Sequence, residues 1–331
     1  MLIQTLEYIA QIELGELQYY KNVTAVPLFH TAPETLFYGT LAESLQDGVI
    51  VVTEVNAGGS VPDLKVVNNA DSSILLLDGE ELKGAKQNRV LNASVLLDAH
   101  SETIIPVSCT EAGRWGYTSE TFRESGYVMP QNLRANCARS VSASLNQTHK
   151  YHSDQRAVWN DIDRMAEASA VNSPTRSMTD VFEAKKKELD ECLDAFSYMS
   201  NQKGLLVFVN GKVAGFDLIS RASAYEALHP KLVKSYAMDA LLQEKRSRRK
   251  ASLEDALAFI KETQSCSGEK YKSTGLGWDY RFEAGTIVGS SLVHIETAIH
   301  SAFFRAQQAT KTGRMANYSR RAEYRTRRPA E

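Results

Sequence analysis

From residue 12 to about 108 the apolar positions come in short runs rich in β-branched side chains, at 49–55, 64–68, 74–77, 94–97 and 103–107. Turn-forming residues bound them: Gly58 and Gly59, Asn68 to Asp71, Asp98 to His100. Short runs separated by such residues predict strands. One short helix is expected over 41–47, because Thr40 and Glu43 make a capping box and Gly48 suits the left-handed position after a helix end.

The period then changes. Val158, Ile162 and Met165 stand at helical spacing and predict a helix over 155–170. A second helix is expected over 180–199, with Asp180 as its cap, Glu183 three positions on, and an apolar stripe of Phe182, Leu189, Cys192, Phe196 and Met199 for packing. Residues 172–178, with Pro174, read as the connecting loop. Asn210-Gly211 between apolar runs at 205–209 and 213–219 is a hairpin signal. Helices are expected over 231–246 and 252–264, the second capped by Ser252 with Asp255. Residues 270–299 read as strands broken by Gly275, Gly277, Gly285 and Gly289, with a closing helix to Ala306. After Gly313 six arginines (314, 320, 321, 325, 327 and 328) stand among few apolar residues, which predicts a disordered basic tail.

The pattern as a whole predicts an α+β protein, mainly an antiparallel β-sandwich or curved sheet with helices packed on it. One compact domain is expected over 1–312, with a weakly marked seam near 120–150, and the tail over 313–331. No internal repeat is present.

Composition narrows the function classes. Hydrophobic residues at 43% and charged residues at 24% are ordinary for a globular chain. Lys and Arg number 38 against 40 Asp and Glu, a net charge of −2, which argues against nucleic-acid binding except through the basic tail. The four cysteines (Cys109, Cys137, Cys192, Cys266) form no C-x-x-C pair, so neither a zinc ribbon nor a disulfide scaffold is suggested. Isolated thiols fit a reducing compartment. Glu7 and Glu13 interrupt the apolar start, so no signal peptide is readable, and no apolar run approaches the ~18 residues that span a bilayer. A cytoplasmic protein without a membrane segment is the expectation.

Candidate chemistry concentrates in residues 78–115. Over 74–92 an apolar strand runs into a charged, glycine-punctuated segment holding Glu80, Glu81, Lys83, Lys86, Gln87, Asn88 and Arg89. Gly79 and Gly84 have the spacing of a phosphate-binding loop, but Ala85 separates Gly84 from Lys86, and Gln87 stands where Ser or Thr is needed. That reading is rejected. What remains is read as a loop with two carboxylates, of which at most one faces a site. The alternative is a turn of solvated charges. A second cluster, Cys109, Glu111, Arg114 and Trp115, follows the strand ending at Val107. It offers an indole face for a planar ring and a guanidinium for phosphate or carboxylate. The alternative is a Trp that caps the core. No His lies near Cys109 in sequence, so it reads as an inert buried thiol. His294 and Glu296 would share a face of a strand, but the cysteines of a zinc deaminase do not follow them. No metal site and no cofactor is readable.

Residues 77–92, LDGEELKGAKQNRVLN, and 105–115, IPVSCTEAGRW, together resemble the ADP-ribosylglycohydrolase and rhodanese-phosphatase-superfamily associated protein domain. Residues 52–55, VTEV, and 58–64, GGSVPDL, are similar to it too, and the likeness spans about 20–300. The resemblance implies processing or sensing of an NAD-derived or ADP-ribosyl compound, and it supplies no catalytic residues.

Three readings follow. In the first, Glu80, Glu81 or Glu111 is a general acid or base; Lys86, Arg89 or Arg114 holds phosphate, with Gln87 and Asn88 as further ligand contacts; and Trp115 stacks on a base. In the second, the protein is a non-catalytic ligand-binding or partner subunit of an ADP-ribosylglycohydrolase-type system. The third is nucleic-acid binding through the tail. The first requires the two clusters to converge in space.

Overall fold

The computed structural model describes residues 2–56, 58–243 and 249–306. The arginine-rich tail lies outside the described residues. In chain order the elements begin with α1 (Leu2–Ala10), β1 (Glu13–Leu14), β2 (Gln18–Tyr20), β3 (Val23–Phe29), β4 (Tyr38–Thr40), α2 (Leu41–Gln46), β5 (Ile50–Glu54), β6 (Asp63–Asn68) and β7 (Ser73–Leu76). Then come β8 (Glu80–Gly84), β9 (Arg89–Leu91), β10 (Val95–Leu97), β11 (Ser101–Cys109), β12 (Phe122–Val128), α3 (Gln131–Thr148), α4 (Gln155–Ala168), α5 (Met178–Ala184) and α6 (Lys186–Ala195). The rest is β13 (Gly204–Val209), β14 (Lys212–Ile219), α7 (Ala222–Leu241), α8 (Leu253–Thr263), β15 (Ser267–Lys272), β16 (Trp278–Ala284), β17 (Ile287–His294) and β18 (Thr297–Arg305).

The fold is α+β and built on antiparallel sheets. A nine-stranded sheet runs in the order β1-β3-β13-β14-β18-β17-β16-β15, with β2 on β3, and curls into a half-barrel. A six-stranded sheet, β12-β8-β9-β11-β6-β5, carries the 78–115 region. A small third sheet, β10-β7-β4, includes a parallel pair, β4 with β7. The curved-sheet form of the expectation is the one observed.

Several local expectations hold for their stated reasons. Thr40 and Glu43 form the capping box of α2, and Gly48 is left-handed at φ 70°. Ser252 Oγ accepts from Asp255 N at 3.1 Å to cap α8. Asn210 and Gly211, at φ 53° and 71°, turn the chain between β13 and β14. A side chain at Gly211 would meet Arg249 O at 2.1 Å, so only glycine fits there.

Other expectations are corrected. The helix read over 180–199 is two, α5 and α6, separated at Lys185, and Ser177 rather than Asp180 stands at the first N-cap. Asp180 instead accepts from Ser173 Oγ at 2.6 Å. The helix expected from 231 starts at Ala222, with Pro230 inside it, and ends at Leu241. The closing helix to Ala306 is the strand β18, whose side chains are buried on both faces, so its apolar run carried no alternation to distinguish it. His294 ends β17 and Glu296 lies in the turn at φ 59°, so they do not share a strand face. Near the expected seam, β12 leads into α3, which packs on β17, β18 and α7. That helix is absent from the sequence reading because its buried face is Arg134, Ala135, Cys137 and Ala138, with Val141 and Leu145 as its larger apolar groups.

No helix among the described residues is long and apolar enough to cross a membrane.

Candidate functional site

The stretch read as a charged loop is largely interior, which rules out the alternative of a turn of solvated charges. From residue 74 to 93 Lys83 alone is exposed. Gly79 turns left-handed at φ 81°, and a Cβ there would lie 3.0 Å from Arg134 Cγ and Cδ. Glu80 to Gly84 then form β8, paired to β12 on one side and β9 on the other. Because successive side chains of a strand point to opposite faces, Glu80 and Glu81 part company.

Glu80 turns toward α7. Its Oε1 accepts from Lys231 Nζ at 2.7 Å and its Oε2 accepts from Leu77 N at 2.8 Å. Lys231 also pairs with Glu124. Burial alone would lower the Lys231 pKa, but the two carboxylates outweigh it and the net shift is upward.

Glu81 turns the other way, into a cage of hydroxyls. Thr110 Oγ1 donates to Oε1 and Thr179 Oγ1 to Oε2, both at 2.7 Å. Burial pushes its pKa up, the hydroxyls of Thr110, Thr179 and Ser125 pull back, and the result is about 7. Thr179 arrives because the chain after β11 pairs with the start of α5: Met178 N donates to Thr110 O at 2.9 Å and Gly113 N to Thr175 O at 2.8 Å.

Glu111 is held beside this cage. Its Oε2 accepts from Asn88 N at 3.2 Å and from Arg114 Nε at 2.8 Å, while Gln87 Nε2 donates to its backbone oxygen at 2.8 Å. Asn88 Nδ2 donates to Thr179 Oγ1 at 3.3 Å, which ties Glu111 to Glu81 through Asn88 and Thr179. The two predicted clusters therefore do converge. Arg114 is fully engaged in that convergence: besides Glu111 it donates to the carbonyls of Gly84, Ala85 and Gly116, to Thr118 Oγ1 and to Asn88 Oδ1. It clips the 113–121 loop to the β8–β9 turn.

Arg89, Lys86 and Trp115 form a separate layer, in which Trp115 is exposed and the two cations are buried. Trp115 and Tyr117 are about half exposed, at 52% and 53%. Beneath them Lys86 Nζ lies 5.4 Å from the Trp115 ring centre and 5.1 Å from that of Tyr117, and Arg89 Cζ lies 5.8 Å from Trp115. These are cation–π distances. Arg89 is wholly buried, and its Nη1 donates to Gln87 Oε1 at 3.2 Å. Its Nε and Nη2 have no hydrogen-bond partner among the described residues. Glu54, from β5, faces them with Oε1 at 3.7 Å from Nη2, within ion-pair range and beyond a hydrogen bond. Cys109 is buried nearby, and burial lifts its thiol pKa to about 11, so it remains protonated at neutral pH.

A charged hub lies behind β8, and the sequence reading missed it. Arg134 Nη2 donates to Asp217 Oδ1 at 2.7 Å and to Asp78 Oδ1 at 3.1 Å. His300 sits 3.1 Å from Asp217 through Nε2 and 2.8 Å from Ser94 Oγ through Nδ1, and Tyr236 OH donates to Asp217 Oδ2 at 2.9 Å. Burial would raise the Asp217 pKa, but Arg134 and His300 outweigh it and hold the carboxyl far below its ordinary range. The Ser94–His300–Asp217 order resembles a hydrolytic relay. However, Ser94 Oγ donates to Asp78 Oδ1 at 3.2 Å, so its one proton is directed to a carboxylate and not to His300. The hub is a charge-paired support that joins α3, β14, β18 and the turn before β8.

An open cleft elsewhere, about 1120 Å³ and lined by Glu34, Phe37, Tyr198 and Arg221, opens at the start of α7. Glu34 Oε1 already accepts from Ala222 N at 2.9 Å there. Among the described residues no group of three or more His, Cys, Asp or Glu is arranged to hold a metal.

The model of the ARG and Rhodanese-Phosphatase-superfamily-associated Protein domain matches residues 11–304, nearly the whole described fold. The chain belongs to that family. Its name records an association with the ADP-ribosylglycohydrolase and rhodanese-phosphatase superfamilies and fixes neither an activity nor a ligand. No curated protein and no solved structure matches the chain.

Proposed function

We propose that the protein binds a phosphorylated, NAD-derived or ADP-ribosyl small molecule at the mouth formed by Lys86, Arg89, Trp115 and Tyr117. The observation that carries this is the unfilled edge of the Arg89 guanidinium. Nε and Nη2 share one edge of that planar group and together form the fork that takes a phosphate or carboxylate through two parallel bonds. Both are buried without a hydrogen-bond partner among the described residues. Such an arrangement costs stability unless something fills it. An anion is the group that fits, and the half-exposed indole of Trp115 offers an adjoining face for a planar ring.

The family's association with ADP-ribosylglycohydrolases points the same way, since those compounds carry phosphates, ribose and an aromatic base. Glu81, with a pKa near 7, belongs to an inner layer closed off by Thr110 and Thr179, so it supports the mouth and does not line it.

The test is thermal unfolding of the full chain with NAD, ADP-ribose, nicotinamide mononucleotide and ribose phosphates. A ligand at about 100 times its Kd adds about 2.7 kcal/mol and a clear rise in Tm. The rise is expected for the wild type and absent in Arg89→Lys and Trp115→Ala. No rise with any of these compounds would sink the reading.

A further inference from the structure

Glu54 is the charged group at this mouth that phosphate binding leaves unused. On β5 it follows Ile50 and Val52 on the buried face of the strand, where a third apolar residue is the usual choice. Both carboxylate oxygens are buried and lack a hydrogen-bond partner among the described residues. The neighbouring backbone packs closely against them. Gly59 turns left-handed at φ 78°, and a Cβ on it would stand 3.5 Å from Glu54 Oε2, 3.4 Å from Lys86 Nζ and 3.1 Å from Lys86 Cδ. Carboxylate acceptors and cationic donors thus face one another at close range beside Gly59.

That pairing restricts the ligand. A bare anion satisfies Arg89 and is opposed by Glu54. A neutral planar ring satisfies neither. A phosphate carried next to vicinal hydroxyls satisfies both, because each hydroxyl can donate to a carboxylate oxygen in a short, charge-assisted bond. We infer that Glu54 accepts the hydroxyls of a pentose whose phosphate takes the Arg89 fork, and so selects ribose phosphates over inorganic anions and over 2-deoxyribose phosphates. This rests on the binding reading above and adds a specificity residue to it. A site built to hold a hydroxyl strongly disfavours an analogue lacking it, because its own buried acceptor is then left unpaired. Glu54 Oε1 also sits at ion-pair distance from the fork, so a phosphate taken there displaces it toward the sugar.

The experiment is calorimetric titration of the full chain with ribose 5-phosphate, 2-deoxyribose 5-phosphate and pyrophosphate, on the wild type and on Glu54→Gln. The wild type should prefer ribose over 2-deoxyribose 5-phosphate by about tenfold or more. In Glu54→Gln that preference should fall below about threefold, and pyrophosphate should bind more tightly because a like charge has gone. A wild type that binds the two sugars alike overturns the role of Glu54 and leaves phosphate binding standing. A Glu54→Gln protein that keeps the full preference overturns it too. Failure of all three compounds to bind the wild type overturns both. The wild-type comparison of the two sugars decides the matter even where the variant does not fold.

Discussion

The hydroxyl of Thr179 donates to Glu81 Oε2 at 2.7 Å although the two residues are 98 positions apart in the chain. The contact fastens α5 to β8 and leaves a carboxyl with a pKa near 7 in the interior. Its ordinary value is 4.5, so between those two values the folded state holds a proton that the unfolded state has released. Stability from this group is therefore present at low pH and lost as pH rises through about 7. Glu81→Gln removes the titration and keeps the shape. Urea unfolding at pH 5 and pH 8 should show the wild type losing more stability across that interval than the variant does. Equal losses in the two proteins would contradict the shift.

Arg134 bridges Asp78 and Asp217 in a site where its own side chain has no exposure. Removing it strands two carboxylates, and breaking a buried ionic pair by one partner costs about 3–5 kcal/mol. Arg134→Met should unfold at much lower urea concentration, while Arg134→Met combined with Asp78→Asn and Asp217→Asn should recover part of the loss. For Asp217 the sign is opposite to that of Glu81. Its folded pKa is depressed, so its contribution is present above the ordinary value of 3.8 and disappears as the pH falls through its folded value. Failure of the triple variant to recover any stability would show that the arginine is held for its packing on Phe304, whose ring centre lies 4.9 Å from Cζ.

These two centres differ in how far the sequence reveals them. The convergence of Glu81 with Glu111 could be anticipated because both lie within one short stretch around β8 to β11. Its burial could not, since charges bounded by glycines are usually solvated. The hub around Arg134 draws on positions 78, 94, 134, 217, 236 and 300, and no local pattern marks residues that meet only through folding. Glu54 is the intermediate case. The alternation Ile50, Val52, Glu54 puts an acid in line with two core residues, and that irregularity is readable. Strands buried on both faces, such as β18, carry no alternation at all, which is why a helix was expected there.

Asp239 caps a helix other than its own. From α7 its Oδ2 accepts from Asn132 N at 2.8 Å in the first turn of α3, where Pro130 at the N-cap position provides no side-chain bond. Burial lifts the Asp239 pKa to about 7 against the pull of those backbone bonds. Asp239→Ala should cost about 1–2 kcal/mol, the usual loss for a removed cap. Hydrogen exchange should quicken first at the amides of Gln131 and Asn132, and Asp239→Asn should restore most of the protection. Unchanged exchange in Asp239→Ala would mean that the helix start is held by its packing alone.

The clip made by Arg114 holds the loop that covers Arg89. The loop that carries Trp115 and Tyr117 is fastened by Arg114 and by two backbone bonds, Gly116 N to Lys86 O at 3.3 Å and Thr118 N to Ala85 O at 3.0 Å. The Arg89 fork lies beneath it with negligible exposure, so a ligand reaches the fork only if the loop lifts. Arg114→Ala frees the loop and leaves Glu111 with one fewer donor. Chymotrypsin should then cut within 113–121, after Trp115 or Tyr117, at least about tenfold faster than in the wild type, a population effect of ~1.4 kcal/mol on local opening. Arg114→Lys should not restore protection, because a point ammonium cannot reach the set of carbonyls that the planar fork spans. Association of a ligand bound as proposed, followed by Trp fluorescence in stopped flow, should become faster and dissociation faster still, so that affinity falls. Slower association in Arg114→Ala would show instead that Arg114 draws the anion in.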